Sequence, residues 1–416
     1  MKRRIMRQYR RISFLSLLLF ICFGLNAEQV DTIPTNLDFS TYLHRVGENN
    51  LGLLAEKYNI DISKAEVAAS RVMPDPELTF EGEEDDFTLG LEYSLELGKR
   101  KARIRHAKKE SEYAVLELEA YFQDLRAEAS HAFLDAILQR NLLEVKRNSY
   151  NNMLQLHKSD SMRYALGEIT LNESRQSKLE AASLLNEVFE QEAAYKSAFI
   201  LLNRYMGIRS GEIGVPQGDM AKLARTYELR ELIELAMTER IDLQLANKGF
   251  ERAHSGLRLA KAERRMDLGL MVGYKRDWKG VLPNRNSLVG GVSIPLPFSR
   301  LNKGTLRASK SIIEQSRIQR LDSEMDTEVE VSQAFFEYEA AKRQVQQFVS
   351  GMLSESQEVL KGVTYQYRRG ETSILEVLMA QRTYNEVQEQ YLEVMKGYGS
   401  ALINLERSCG IWDINL

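Results

Sequence analysis

Cysteine, proline and surplus charge are all scarce in this sequence, and each scarcity removes a class of protein. There are two cysteines among 416 residues, Cys22 and Cys409. Cys22 falls inside an N-terminal apolar run that reads as a cleaved leader, so the mature chain keeps one thiol. That excludes an internal disulfide and a cysteine metal cluster, and packing alone must hold the fold. The formal net charge of −3 is too small for the strongly basic surface of a nucleic-acid binder. No stretch after the leader has the length and hydrophobicity of a transmembrane helix, so any entry into a membrane must be by strands. The five histidines, His44, His106, His131, His157 and His254, stand singly. With no His/Cys ligand spacing and no convergent nucleophile and base, neither a metal, a cofactor nor an enzymatic site is expected.

Proline is missing altogether from 77–215 and 298–416. Proline in a helix interior removes a hydrogen bond and clashes with the preceding turn, so its absence beside abundant Ala, Leu, Glu, Gln, Lys and Arg permits long unbroken helices. Leu118, Phe122, Leu125, Ala129, Ala132, Ala136 and Gln139 recur every three or four residues as a narrow stripe near the coiled-coil pattern. Segments near 100–160, 168–207, 300–365 and 372–409 read as helices, and 60 residues at 1.5 Å each make a rod of roughly 90 Å. Such a rod is longer than an ordinary domain is wide.

What is present begins with Lys2, Arg3, Arg4, Arg7, Arg10 and Arg11 ahead of "FLSLLLFICFGL" and a small residue at Ala27. This is the pattern of a secretory signal peptide over 1–27, with the mature chain starting near Glu28. Lipidation at Cys22 is not expected, because Phe20 and Ile21 are bulkier than a lipoprotein signal usually carries before its cysteine.

The chain also repeats itself. Tyr164 and Gly167 in "RYALGEITL" recur as Tyr367 and Gly370 in "QYRRGETSI", and the same offset relates Tyr195 to Tyr398, Leu202 to Leu405, Arg204 to Arg407 and Gly207 to Gly410. Two equivalent halves are expected, 28–217 and 218–416, joined near "GIRSGEIGVPQGD". Each half carries a hairpin ahead of its long helix, about 76–97 and about 266–297. In "TLGLEYSLEL", Leu89, Leu91, Tyr93, Leu95 and Leu97 alternate with polar or small residues, and Leu268, Leu270, Val272 and Tyr274 do the same in the second half. Pro295 and Pro297 should end the last strand.

Strands of roughly ten residues suit a tilted membrane crossing, with Phe87, Tyr93, Trp278 and Phe298 near their ends. A soluble sheet with one face on a core fits the alternation equally well. The export signal, the duplication and the oversized helices favour the membrane barrel. Four strands cannot close a barrel, and open edges are forbidden in hydrocarbon, so several copies must contribute strands. The basic run "LGKRKARIRHAKK" lacks stacking aromatics and reads as a solvated helix start. "EGEEDD" reads as an acidic turn, and the methionines as packing.

Several stretches together resemble the TolC-like outer-membrane efflux family, in its heavy-metal (CusC/CzcC-type) branch. They are "MPDPELTFEGE", "LELGKRKARIRHA", "LAKAERRMDLGLMVGY", "GVSIPLPFSRLNKGTLRAS" and the paired "YALGEITL" and "YRRGETSI". The resemblance implies an α+β membrane protein, a homotrimer whose protomers each give four strands to a twelve-stranded transmembrane β-barrel and their helical hairpins to a periplasmic α-barrel. It also implies a periplasmic adaptor and an inner-membrane RND-type pump as partners, outer-membrane lipid around the barrel, and passive conduction with no cofactor. Carried onto this sequence, Gly167 and Gly370 mark the tips of the two hairpins, and Leu166, Gly167, Glu168, Arg369, Gly370 and Glu371 the adaptor-docking surface. Arg368, Glu376 and Met379 become candidates for the periplasmic aperture. Glu376 reads equally as an ordinary exposed helix residue, and Met379 stands where the family's type member has a second acid. An exported coiled-coil adhesive protein would share the helices but needs no amphipathic hairpins. An adaptor would carry a β-rich lipoyl-like module, and none is visible.

Overall fold

The structure, a computed structural model, describes residues 36–209, 214–218, 225–278, 285–296 and 303–414. The signal peptide with Cys22, the turn around Pro283, and Pro297 with Phe298 lie outside the described residues. The first run of elements is β1 (Asn36–Asp38), α1 (Phe39–Asn49), α2 (Leu51–Ala69), β2 (Glu77–Gly82), β3 (Asp86–Glu96), α3 (Lys99–Ala165) and α4 (Leu171–Tyr205). The second is β4 (Val215–Gln217), α5 (Leu229–Glu239), α6 (Ile241–Glu263), β5 (Asp267–Asp277), β6 (Arg285–Ser293), α7 (Lys303–Gln347), α8 (Leu353–Arg368) and α9 (Ile374–Cys409). Each run is a short strand, two helices, a hairpin and a long helical return. The initial strands β1 and β4 pair with each other in parallel, Leu37 opposite Pro216.

Helix boundaries follow local chemistry. The Asp38 carboxylate accepts the Thr41 N–H at the start of α1 and is held down to about 2, chiefly by the Ser40 hydroxyl. Asn50 caps α2 through the Leu53 N–H at 3.0 Å and ties it to α4 by donating to the Tyr205 carbonyl at 3.0 Å. Helix α3 runs 67 residues without a break, about 100 Å at 1.5 Å per residue. Its counterpart does not. Between α7 and α8 the chain makes a π-helical segment at Phe348–Met352, where Gly351 takes φ 151°. Only a residue lacking Cβ adopts that conformation readily, so the continuous helix expected over 300–365 is broken by one glycine.

The two hairpins form one antiparallel sheet in the order β2-β3-β5-β6, joined by β3 and β5 with Leu91 opposite Val272 and Glu96 opposite Asp267. Strand β2 starts at Glu77, immediately after Pro76, which has no N–H to give a ladder. Strand β6 ends at Ser293, ahead of Pro295. The register places the bases of all four strands at one end, since Glu77 faces Glu92, Glu96 faces Asp267 and Gly269 faces Ser293. Helices α2, α3, α6 and α7 therefore all leave from that end. Two ion pairs fasten it: Lys99 to Asp267 at 2.5 Å, nearly buried, and Arg103 to Glu96 with two bonds of 3.0 Å.

The main core is a belt midway along the helices. Phe133 packs between Phe39 and Tyr42 in tilted contacts with ring centroids at 5.3 and 5.2 Å, and Leu134, Ile137, Leu202, Val331 and Leu402 surround them. From Leu125 to Leu138, α3 is buried on nearly every side rather than along one stripe, because α1, α4 and α9 all pack there. Buried polar groups close this belt. Tyr338 stacks on Tyr398, their hydroxyls 3.1 Å apart, and donates to the Arg225 carbonyl. The fully buried Glu406 accepts the Asp413 N–H at 2.7 Å, while Arg126, pulled down to about 10 by burial, lies 4.0 Å over Trp412.

Replacing Phe133 with Ala should cost about 3–5 kcal/mol, the usual range for emptying such a site. Thermal unfolding of the detergent-solubilised protein, followed by helical circular dichroism, checks this; an unchanged midpoint would remove Phe133 from the centre of the core.

Candidate functional site

The two turns carrying Gly167 and Gly370 have the same hydrogen bonds. Gly167 N–H donates to Tyr164 O at 3.0 Å and Glu168 N–H to Arg163 O at 2.9 Å; Gly370 N–H donates to Tyr367 O at 3.0 Å and Glu371 N–H to Gln366 O at 2.9 Å. This is the Schellman ending, with glycine in the left-handed region at φ 78° and φ 75°. A Cβ at either glycine would meet no atom within 4 Å, so backbone strain alone requires glycine there. Gly207 and Gly410 end α4 and α9 with the same pair of bonds at φ 72° and 71°.

The tips differ in what surrounds them. Leu166 is 75% exposed at the first, and Glu168 pairs with Arg163 at 3.3 Å. At the second, Arg369 pairs with Glu371 at 2.9 Å and lies over the Tyr365 ring, whereas Arg368 is exposed. The start of α4 is closed by a capping box, Thr170 with Glu173. At the same offset the start of α9 has Ser373 and Glu376, yet Ser373 makes no cap, and Glu376 takes its hydrogen bond from Thr372 instead. Glu376 and Met379 are both exposed, one turn apart on one side of α9.

The equivalent tyrosines have opposite fates. Tyr164 is 43% exposed, while Tyr367 is 2% exposed and donates to Asp160 Oδ1 at 3.0 Å. Asp160 belongs to α3 and is fully buried, so this bond joins one tip to the other. The Arg163 guanidinium covers the same ring at 5.1 Å, and Ile374, Val377 and Leu156 pack beside it. Burial pushes the Asp160 carboxyl above the usual aspartate range, and raises the Tyr367 phenol too. The expected tip residues do not themselves make this junction. Its sequence signal was the Tyr of the repeat signature; Asp160, 207 residues away, has none.

Contacts further up the helices are mixed. Within the first hairpin α3 meets α4 through apolar residues, including Met153, Ala181 and Leu184, and through polar pairs, Lys146 with Glu187 at 3.0 Å and Gln139 with Gln191 at 2.7 Å. Between hairpins, α3 meets α9 through the apolar belt that includes Leu402 and through polar pairs: Asp124 with Arg407 at 2.6 Å, His131 with Ser400 and Asn404, Asp135 with Lys396 at 2.9 Å, Lys146 with Glu389, and Ser149 with Asn385 at 2.7 Å. Burial lowers the affinity of His131 for a proton.

One sheet face is a continuous apolar band. It comprises Leu78 and Phe80; Leu89, Leu91, Tyr93 and Leu95; Leu268, Leu270, Val272 and Tyr274; and Leu288 and Val292, aligned by the strand register. Leu78, Phe80, Leu91, Val272, Leu288 and Val292 are all more than half exposed. A soluble sheet would cover such a face. The opposite face carries Thr88, Glu92, Ser94, Glu96, Lys275 and Asp277 with several glycines. No described helix is long and apolar enough to cross a membrane, and no described group of three or more His, Cys, Asp or Glu could hold a metal.

A bare apolar strand band with helical hairpins leaving its one end defines a protein built to enter a membrane by strands. Residues 232–411 match the family described as outer membrane efflux protein. The chain is 24% identical over 368 residues to the cobalt-zinc-cadmium resistance protein CzcC of Cupriavidus metallidurans, covering 87% of each. Among solved structures it superposes on CusC with TM-score 0.75 at 16% identity, covering 94% of this chain and 96% of that one. On the Campylobacter jejuni CmeC outer membrane channel the TM-score is 0.73 at 12% identity, covering 93% and 90%. The C-terminal part of the chain is thus similar to outer membrane efflux proteins, and the chain as a whole has the fold of the outer membrane channels it superposes on.

The Asp160–Tyr367 junction should tighten on acidification. A carboxyl whose proton affinity is raised by folding stabilises the fold when protonated and loses that contribution as pH rises through its raised value, starting from the ordinary aspartate value near ~3.9. Amide exchange in the tip segments should slow as pH falls from neutral towards the ordinary aspartate value, after correction for intrinsic rates. Asp160→Asn, which still accepts from Tyr367, should flatten that dependence, whereas an unchanged pH profile in this variant would assign the effect elsewhere. Tyr367→Phe should loosen the tips by about 1–3 kcal/mol, the cost of a buried acceptor losing its donor.

Proposed function

We propose that three copies of this chain close into one duct, with strands in the outer membrane of a Gram-negative cell and helices in the periplasm, and that the duct passes divalent heavy-metal cations. The observation that carries the ring is the placement of the free edges. Strand β2 is the outer edge on one side of the sheet and β6 on the other. The helices follow the same order, α2-α3-α6-α7 near the sheet and α4-α3-α9 with α8 towards the tips. Exposed apolar residues mark both ends of that row: Leu51, Tyr58 and Ile62 on α2, Leu179, Phe189 and Ile200 on α4, and Ile318, Met325, Val329 and Phe336 on α7. A head-to-tail contact of the β6/α7 side with the β2/α2/α4 side of the next copy satisfies strands and helices together. The metal cargo is supported by the relation to a cobalt-zinc-cadmium resistance protein.

In this reading the tips receive a periplasmic adaptor, which links the duct to an inner-membrane RND-type pump. Leu166, Gly167 and Glu168 form one docking surface and Arg369, Gly370 and Glu371 the other. Arg368, Glu376 and Met379 line the aperture. The carboxylate of Glu376 supplies negative charge at the mouth in addition to standing where its repeat partner Glu173 caps a helix.

Two variants test this. Gly370→Val forces a β-branched residue into left-handed backbone, at a cost of about 1–2 kcal/mol or more. It should abolish efflux-dependent metal tolerance in cells deleted for the native protein while the trimer still forms; wild-type tolerance would refute the docking role of this tip. Glu376→Gln keeps a side chain competent in a capping box but removes its charge. Planar-bilayer recordings should show reduced cation preference, and unchanged selectivity would return Glu376 to a local helix role.

A further inference from the structure

At the base of β3 the chain leaves a cleft of about 440 Å³ between the connector before β2, the end of β3 and the first turns of α3. Its floor is apolar and continuous with the bare band: Tyr93 and Leu95 lie on the lipid-facing side of β3, and the Tyr93 hydroxyl donates to the Met73 sulfur at 3.3 Å. Leu97, Met73 and Val72 beside it are all more than half exposed. Its rim is basic. Arg100 and Lys101 line it, and the one carboxylate in the lining, Glu96, is already held by both Arg103 bonds. Arg100 spends its Nε on the Arg71 carbonyl, and neither Arg100 nor Lys101 has a carboxylate partner among the described residues. The nearby Lys99 is paired with Asp267. Two cations therefore remain available where the apolar band ends and the helices begin.

We infer that this cleft binds an anionic glycerophospholipid of the leaflet facing the helices, its phosphate on Arg100 and Lys101 and an acyl chain along Tyr93 and Leu95. The chemistry of each end selects this occupant. A bilayer offers phosphate and hydrocarbon at that spacing, across the boundary where the strand band meets water, and long basic side chains at such a boundary reach headgroups while their stems stay apolar. A free phosphate would leave the Tyr93–Leu95 floor in water. The inference rests on the membrane reading of the strands.

The test uses the full-length trimer, purified in mild detergent and exchanged with phosphatidylglycerol or phosphatidylcholine, with retained lipid counted by native mass spectrometry. Wild type should retain phosphatidylglycerol in preference to phosphatidylcholine, and inorganic phosphate at millimolar concentration should not displace it. Lys101→Gln, which removes a side chain with no partner among the described residues, should reduce retention severalfold, and the Arg100→Gln/Lys101→Gln pair by about thirtyfold. Equal retention of the two lipids, or equal retention by wild type and both variants, overturns the site. So does displacement by inorganic phosphate. A disulfide between K101C of one copy and I294C of the next, formed with no lipid retained, would assign the cleft to a neighbouring copy instead. Trimers present in every arm keep the duct reading intact whichever way the lipid result falls, whereas absence of trimers in wild type removes the reading on which the site depends.

Discussion

The constraint on which the rest depends is the pairing of backbone polar groups in hydrocarbon. A strand edge facing lipid leaves N–H and C=O groups with no water to satisfy them, at several kcal/mol each. In this chain β2 and β6 are the edges of the sheet, which presents an apolar band that no other described residue of the chain covers. The strands therefore demand neighbours of the same kind. Because every helix leaves from one end of the sheet, whatever arrangement satisfies the strands also fixes the spacing of the helices, and the apolar residues left bare on α2, α4 and α7 lie at the ends of the row where a neighbour must arrive. In the proposed ring one contact serves the membrane and aqueous parts together.

Within the helical part, apolar and polar contacts are combined at both kinds of interface. Apolar contacts, at Met153 and Leu184 inside the first hairpin and at Leu402 between hairpins, lose stability when wetted, at about 25 cal/mol for each Å² of apolar surface exposed. Polar pairs, Lys146–Glu187 inside the first hairpin and Asp124–Arg407 to Ser149–Asn385 between hairpins, can exchange each other for water at modest net cost. The apolar belt therefore holds the two hairpins together more firmly than the polar pairs above it. At the tip-ward end the buried Asp160–Tyr367 bond adds a pH-dependent contact: burial makes the carboxyl reluctant to ionise, so separation there is favoured as pH rises and the carboxyl can ionise in water.

Much of this architecture was legible in the sequence because it is written in periodicities. Alternation over 88–97 gave the strand faces, absence of proline gave the long helices, and the offset linking Gly167 to Gly370 reappears as two turns with the same hydrogen bonds. Three features were not legible, each for a physical reason. The break at Gly351 depends on one residue in a proline-free run, where a helical glycine and a helix-breaking glycine look alike. The narrow stripe on α3 became all-round burial because the surrounding helices come from both halves of the chain. Asp160 looked like any solvated helix carboxylate, since its partner is remote in sequence and its burial arises only when the two hairpins lie side by side.

Duplication followed by divergence explains the unequal tips better than function assigned to either alone. Thr170 with Glu173 and Ser373 with Glu376 occupy matching positions, and at the first tip the acid is consumed by the helix it begins. At the second, Glu376 makes no capping box and is bonded to Thr372 instead. The paired tyrosines diverge in the opposite sense: Tyr164 remains at the surface while Tyr367 is drawn inward to Asp160. The first tip is thus locally self-sufficient, with its cap closed and Leu166 exposed. The second owes its position to a bond with the first and offers a charge that its own helix does not use. A repeat that began as two equal hairpins has become one that anchors and one that is held.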